Sequence, residues 1–262
     1  MKKFLVAGLL VLAAAPAAAT AATTTEKVYA DSDSWVSSDT RAPGTFDFVA
    51  GPGIAPLGID SLHLSTPDST AKVNLGNGLL YGTPLSDIDA LAYDTYRSSA
   101  STGSSVQVPS LQIEVTGSTA QNASGFTTLV FEPVYNTDQA AITDDTWQAW
   151  DAFNGGQGIW WSTRDLTHQA AFTGYRSWSD IVADNPNAVV LGAFINQGSG
   201  NPGIDANVDA VTLGASGNST TYDFEPNSAP VTKDDCKDGG WVAFHPAFSN
   251  QGDCVSQVVT SR

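Results

Sequence analysis

The sequence predicts an all-β fold, a jelly-roll-type β-sandwich followed by a short, disulfide-clipped helical C-terminal tail. Three observations carry this. Of 27 acidic side chains only Glu26, Glu114, Glu132 and Glu225 are glutamate; the rest are aspartate, which prefers turns and caps to helix interiors. The 24 glycines and 13 prolines break the chain into short elements. Between Thr45 and Phe224 a series of short segments alternates apolar with polar residues or runs apolar between turn signals, as in sandwiches and jelly rolls.

The elements follow in order. A first strand is expected near Lys27 to Ala30 within an otherwise polar, loosely ordered stretch, 22–42. Thr45 to Val49, Ser61 to Ser65 and Ala71 to Leu75 are short strands, and Ala90 to Arg97 is longer. Leu111 to Thr116 alternates strictly, with Leu111, Ile113 and Val115 on one face and Gln112, Glu114 and Thr116 on the other. Thr127 to Tyr135 follows a Gly/Ser/Asn-rich turn and is expected to be its antiparallel neighbour. Trp147 to Ala152, Gly158 to Thr163, Ala188 to Asn196, Ala206 to Leu213 and Thr221 to Phe224 complete the strands. One helix interrupts them, capped by Ser177 with Asp180 three residues on and stopped at Asn185-Pro186. In the tail, Thr232 with Asp235 opens one short helix and Asn250 with Asp253 another. Trp241, Phe244 and Phe248 lie between them as a small apolar plug.

Charge and termini bound the function. Only 15% of the residues are charged and the formal net charge is −16, so basic side chains are scarce and a nucleic-acid partner is excluded. Lys2 and Lys3, an apolar run from Phe4 to Ala15 and the small residues Ala17 to Ala22 form a secretory leader with cleavage after Ala21 or Ala22. The apolar run is too short to span a bilayer, which takes roughly 20 residues. The expected divisions are a leader at 1–22, a sandwich at 25–227 and a tail at 231–262. The product is expected to be secreted and soluble, or periplasmic in a Gram-negative cell. In that compartment Cys236 and Cys254 form a disulfide worth about 3 kcal/mol in the loop-entropy model.

The stretch Asn207-Val208-Asp209-Ala210-Val211-Thr212-Leu213-Gly214, with Tyr222-Asp223-Phe224-Glu225, resembles the closing strands of galactose-binding and concanavalin-like jelly-roll modules. The tail, Cys236-Lys237-Asp238-Gly239-Gly240-Trp241 with Asn250-Gln251-Gly252-Asp253-Cys254, resembles a C-terminal segment of uncharacterised secreted bacterial proteins. Both resemblances imply export and a sandwich fold. Neither brings a catalytic motif.

Enzyme signatures are sparse. Gly214-Ala215-Ser216-Gly217-Asn218 fails the nucleophile-elbow pattern at its last position. His63, His168 and His245 are isolated in the sequence, against a zinc site. One catalytic alternative survives, with Glu114 and Glu132 on strands expected to pair. A glycosidase needs such carboxyls about 5 Å apart for retention or about 6.5–9.5 Å for inversion. The alternative for the pair is a solvated or structurally ion-paired role. Non-catalytic sugar binding needs less, namely aromatic faces for C–H surfaces and polar side chains for hydroxyls. The aromatic-rich stretch nominates Trp150, Trp160, Trp161 and Trp178 with Asp151 and Arg164, set against core packing for most of them. Alternation sends Trp160 and Trp161 to opposite faces, so one of that pair belongs to the core. Asp31, Asp33, Asn207 and Asp209 are the candidate ligands for a structural Ca2+, set against ordinary turn-forming acids. The expected function is a secreted, non-catalytic module binding polysaccharide or cell-surface glycan. The alternatives are the Glu114/Glu132 glycosidase and a structural envelope or matrix protein.

Overall fold

The computed structural model describes residues 22–30, 32–226, 230, 232–242, 244 and 248–260. The predicted leader, except Ala22, lies outside the described residues, as do Asp31 and His245. The strands are β1 (Ala22–Val28), β2 (Val36–Ser37), β3 (Thr45–Ala50), β4 (Asp60–Thr66), β5 (Lys72–Asn77), β6 (Ile88–Arg97) and β7 (Ser110–Thr116). They continue with β8 (Thr127–Phe131), β9 (Trp147–Asp151), β10 (Ile159–Ser162), β11 (Arg176–Ser177), β12 (Val189–Gly198), β13 (Ile204–Ala215) and β14 (Asn218–Phe224). Helix α1 (Trp178–Asp184) precedes β12 and helix α2 (Gln251–Thr260) lies in the tail.

Two sheets form. Sheet B has the order β11-β10-β8-β7-β12-β5-β2. In sheet A, β13 pairs with β6 along one edge, and β6 with β9. Along its other edge β13 pairs first with β4 and then with β14. The change of partner falls at a bulge between Asp209 and Thr212, where Ala210 takes φ 51°, the kind of kink that re-aims a strand. Strands β4-β13-β6-β9 therefore oppose β5-β12-β7-β8, with the chain passing between sheets at β1/β2, β2/β3, β4/β5, β5/β6, β6/β7, β8/β9, β9/β10 and β12/β13. This is the jelly roll the sequence predicts.

The alternation read from the sequence explains the core. Leu111, Ile113 and Val115 of β7 are wholly buried, as are Leu129 and Phe131 of β8. Tyr93, Phe131, Trp160 and Trp178 form a chain of ring contacts at 6.1, 5.5 and 5.0 Å. Buried indoles still need acceptors: Trp160 Nε1 donates to the Ala152 carbonyl at 2.9 Å and Trp150 Nε1 to Thr95 Oγ1 at 2.8 Å. The α1 cap is the predicted one, Ser177 Oγ accepting from the Asp180 N–H at 3.2 Å.

Three expectations need correction. The first strand is Ala22–Val28, not Lys27 to Ala30, and β2 follows within the stretch read as loosely ordered. β1 shows no apolar alternation because every residue but Val28 is exposed; its main chain pairs parallel with β14. β8 ends at Phe131, since Pro133 cannot extend the ladder and starts a 3-10 turn, Pro133–Tyr135. In the tail, the segment at Thr232 forms consecutive turns and a 3-10 turn at Gly240–Val242 instead of a helix, with Gly239 at φ 87°. α2 forms as expected, with Asn250 Oδ1 accepting from the Asp253 N–H at 3.0 Å. Cys236 and Cys254 are joined, Cα–Cα 5.8 Å. With Val258, Trp241, Phe244, Phe248 and Val255 they form a cluster separate from the sandwich core.

The loop before β4 folds over the outer face of sheet A. The Pro52 carbonyl accepts from Trp147 Nε1 at 2.8 Å and the Leu57 N–H donates to Asp209 Oδ2 at 2.9 Å. Under it Asp60, Asp209, Asp223 and Glu225 are buried. Lys27 Nζ lies 2.9 Å from Glu225 Oε1 and 3.9 Å from Asp223 Oδ2. Burial, together with neighbouring Glu225, pushes Asp60 up to about 7; burial pushes Asp209 up to about 7 as well. Both groups therefore keep protons in the folded state that the unfolded chain releases at about pH 4. The stability these two groups contribute is full below about pH 4 and is lost as pH rises through 7.

Two outcomes follow. The melting temperature should decline between about pH 5 and about pH 8, and Asp60→Asn should flatten that decline; a flat or rising profile in the parent protein would contradict the assignment. Reduction of Cys236–Cys254 should make 232–260 protease-sensitive while leaving the β-sheet circular dichroism and the main melting transition in place. Loss of that transition on reduction would show that the tail supports the sandwich core.

Candidate functional site

Because each strand of sheet B gives alternate residues to the core, the others line its outer face. One cross-strand row reads Gly76, Phe194, Gln112, Val130 and Trp161 across β5, β12, β7, β8 and β10. Phe194 lies down on the sheet. A Cβ at Gly76 would stand 2.5 Å from its Cε1, and one at Gly192 would stand 3.1 Å from its Cε2 and Cζ. Trp161 closes the other end of the row, about 14 Å away across three interstrand steps. Beyond it Trp161 meets Phe172 at 5.7 Å, and Tyr135 stacks with Tyr175 at 4.3 Å.

Polar groups surround the row. Asn196 Nδ2 donates to Asn74 Oδ1 at 3.0 Å, and Asn74 Nδ2 to Ser38 Oγ at 2.9 Å. Gln112 Nε2 donates to Ser110 Oγ at 3.3 Å. A groove of about 480 Å3 is lined by Ser38, Asn74, Gln112, Phe194 and Asn196 with Glu114, Thr128 and Thr163. At its β2 side Asp39 accepts from Arg41 Nε and Nη2 at 2.8 and 2.7 Å and from Lys72 Nζ at 2.9 Å. Those cations hold the Asp39 carboxyl below its ordinary range. Burial raises Glu114. Burial also raises Glu132, opposed by the bond its Oε2 accepts from Trp161 Nε1 at 2.8 Å. The Tyr135 hydroxyl, bonded to Tyr175, is pushed up to about 12.

The sequence-nominated residues divide. Trp161 is on this face and partly exposed. Trp150, Trp160 and Trp178 are 1%, 0% and 2% exposed, so they pack the core and cannot meet a ligand. Asp151 is exposed on β9 of sheet A, the sheet opposite Trp161. Its Oδ1 caps the Asn154 N–H at 2.6 Å. Arg164 lies exposed beyond β10, its guanidinium on the Thr163 carbonyl at 3.2 Å.

The catalytic alternative fails on distance. Glu114 and Glu132 do share the outer face, but Glu114 stands opposite Thr128. Glu132 is four residues further along and one strand across, a separation of about 14 Å and beyond either glycosidase geometry.

The described members of the calcium set, Asp33, Asn207 and Asp209, form no metal site either. Asn207 commits its amide to Ser61 Oγ at 2.9 Å, and both Asp209 oxygens accept backbone N–H groups, from Leu57 and Phe224. Asp33 is exposed before β2. No group of three His, Cys, Asp or Glu arranged for a metal occurs among the described residues. No helix among them is long and apolar enough to cross a membrane.

Sequence reasoning missed Phe194, Asn74, Asn196 and the Asp39 triad. A signal for Phe194 existed in the alternation Gly192, Phe194, Asn196, Gly198, which marks one small and polar face.

No protein-family model matches the chain, and no curated protein matches it in sequence. Among solved structures it is similar to the CBM22-1 xylan-binding domain from Paenibacillus barcinonensis Xyn10C. That likeness covers 69% of this chain and 85% of the other, at 12% identity and a TM-score of 0.34. At that score it transfers neither fold nor function.

Proposed function

We propose that the protein is an exported, non-catalytic module that binds polysaccharide or cell-surface glycan across the outer face of sheet B. The observation that carries this is the row from Phe194 to Trp161. Two rings lie on one side of one sheet with Gln112 and Val130 between them, and an open groove lined by amide and hydroxyl side chains runs beside Phe194. Pyranose rings offer an apolar C–H face to such platforms and hydroxyls to the polar groups between them. The arrangement suits an extended chain lying along the face. Export is supported by the leader pattern at 1–22 and by a disulfide that oxidising compartments maintain.

Affinity electrophoresis against a panel of soluble polysaccharides tests the reading. For the glycan retained, Phe194→Ala and Trp161→Ala should each weaken binding by about tenfold or more. Trp147→Phe, on sheet A, should bind like the parent. Parent-like retention by both alanine variants, with unchanged melting temperatures, would remove this face as the site.

A further inference from the structure

We propose that this face selects glycans whose units carry a protonated amine, with Glu132 as the anchoring carboxylate among the rings at the Trp161 end of the face. The inference rests on the glycan-binding reading and names the substrate class for the same site.

The charge balance of the face is the starting point. The cations at its β2 side, Arg41 and Lys72, both serve Asp39, while Arg164 stands beyond β10 on the Thr163 carbonyl. Glu114 and Glu132 make no ion pair among the described residues. Glu114 and Glu132 thus stand on this face without an ion-pair partner, in a chain of formal net charge −16. Such a field draws cationic ligands in and repels acidic polysaccharides.

The surroundings of Glu132 make it the anchor. Its Oε2 accepts from Trp161 Nε1, and its Oε1 has no hydrogen-bond partner among the described residues. Trp161 contacts Phe172, and Tyr135, three residues on, stacks with Tyr175. Phe172, Tyr135 and Tyr175 are 58%, 41% and 43% exposed, so the rings are open to a ligand. A carboxylate sheltered from water and bonded only to an indole keeps an electrostatic demand that a hydroxyl cannot meet and an ammonium can. Ring faces beside it add attraction for the same cation. Glu114, about 14 Å away on the same face and within the field of Lys72, offers a second carboxylate without an ion pair to a polymer carrying repeated amines.

Three hexasaccharides with the same β-1,4 backbone isolate the amine: those of glucosamine, N-acetylglucosamine and glucose. By titration calorimetry in mildly acidic, low-salt buffer, the glucosamine hexamer should bind about tenfold or more tighter than the other two. The gap should narrow as salt is added. Glu132→Gln, checked for an unchanged melting temperature, should bring the glucosamine hexamer to the level of the glucose hexamer. Equal affinity for all three overturns the amine preference and leaves the glycan reading standing. No binding to these or to any neutral glycan overturns both. An amine preference that survives Glu132→Gln overturns the assignment to this site. Oligolysine binding as tightly as the glucosamine hexamer, and lost with Glu132→Gln, overturns the choice of sugar as ligand.

Discussion

The packing of Trp160 between Phe131 and Trp178 sets the phase of β10, and the outer face of sheet B depends on that phase. A β-strand has a side-chain period of two, so burying one residue exposes the next. With Trp160 locked inward, Trp161 must point out, opposite Val130 and beside Glu132. The same argument runs through β8, β7 and β12, whose inner residues are shut into the core. A slip of one residue would carry Trp161 inward and strand Trp160 in water. The core fixes the site through register alone, without touching it.

The chain treats its many acids in two ways. On sheet A, four are buried under a loop with Lys27 alongside, and Asp60 and Asp209 retain protons to near neutrality. On the outer face of sheet B, Arg41 and Lys72 gather on Asp39, and Glu114 and Glu132 are left without ion pairs. Scarcity of Lys and Arg, visible in the composition, thus has a local expression. Where no cation is at hand, a carboxylate either takes up a proton or presents its charge to whatever approaches.

Much of this was legible in the sequence. Turn-forming aspartates, glycines and prolines gave away the short strands, and Ser177 and Asn250 announced their helices. The pair Trp160-Trp161 had to split between core and surface. Which one faced out was hidden, because it follows from the partner strand's phase and not from local pattern. β1 was expected only from Lys27 onward, since its exposed residues before Val28 carry no apolar alternation. The pairing of the strands carrying Glu114 and leading to Glu132 was legible, yet the spacing of the two depended on where β8 starts relative to β7, a register no composition encodes. The Asp39–Lys72 contact joins residues 33 apart in sequence and leaves no periodic trace.

Phe194 owes its posture to what is missing beneath it. Gly76 and Gly192 supply no side chain, and the ring drops into the space. The depth of the groove is therefore written in two hydrogens, not in the aromatic residue that lines it. A single methyl at Gly76 would tilt the ring upward and shallow the channel without altering any group that touches a ligand. Groove depth in such a sheet is a tunable dimension, set from the floor.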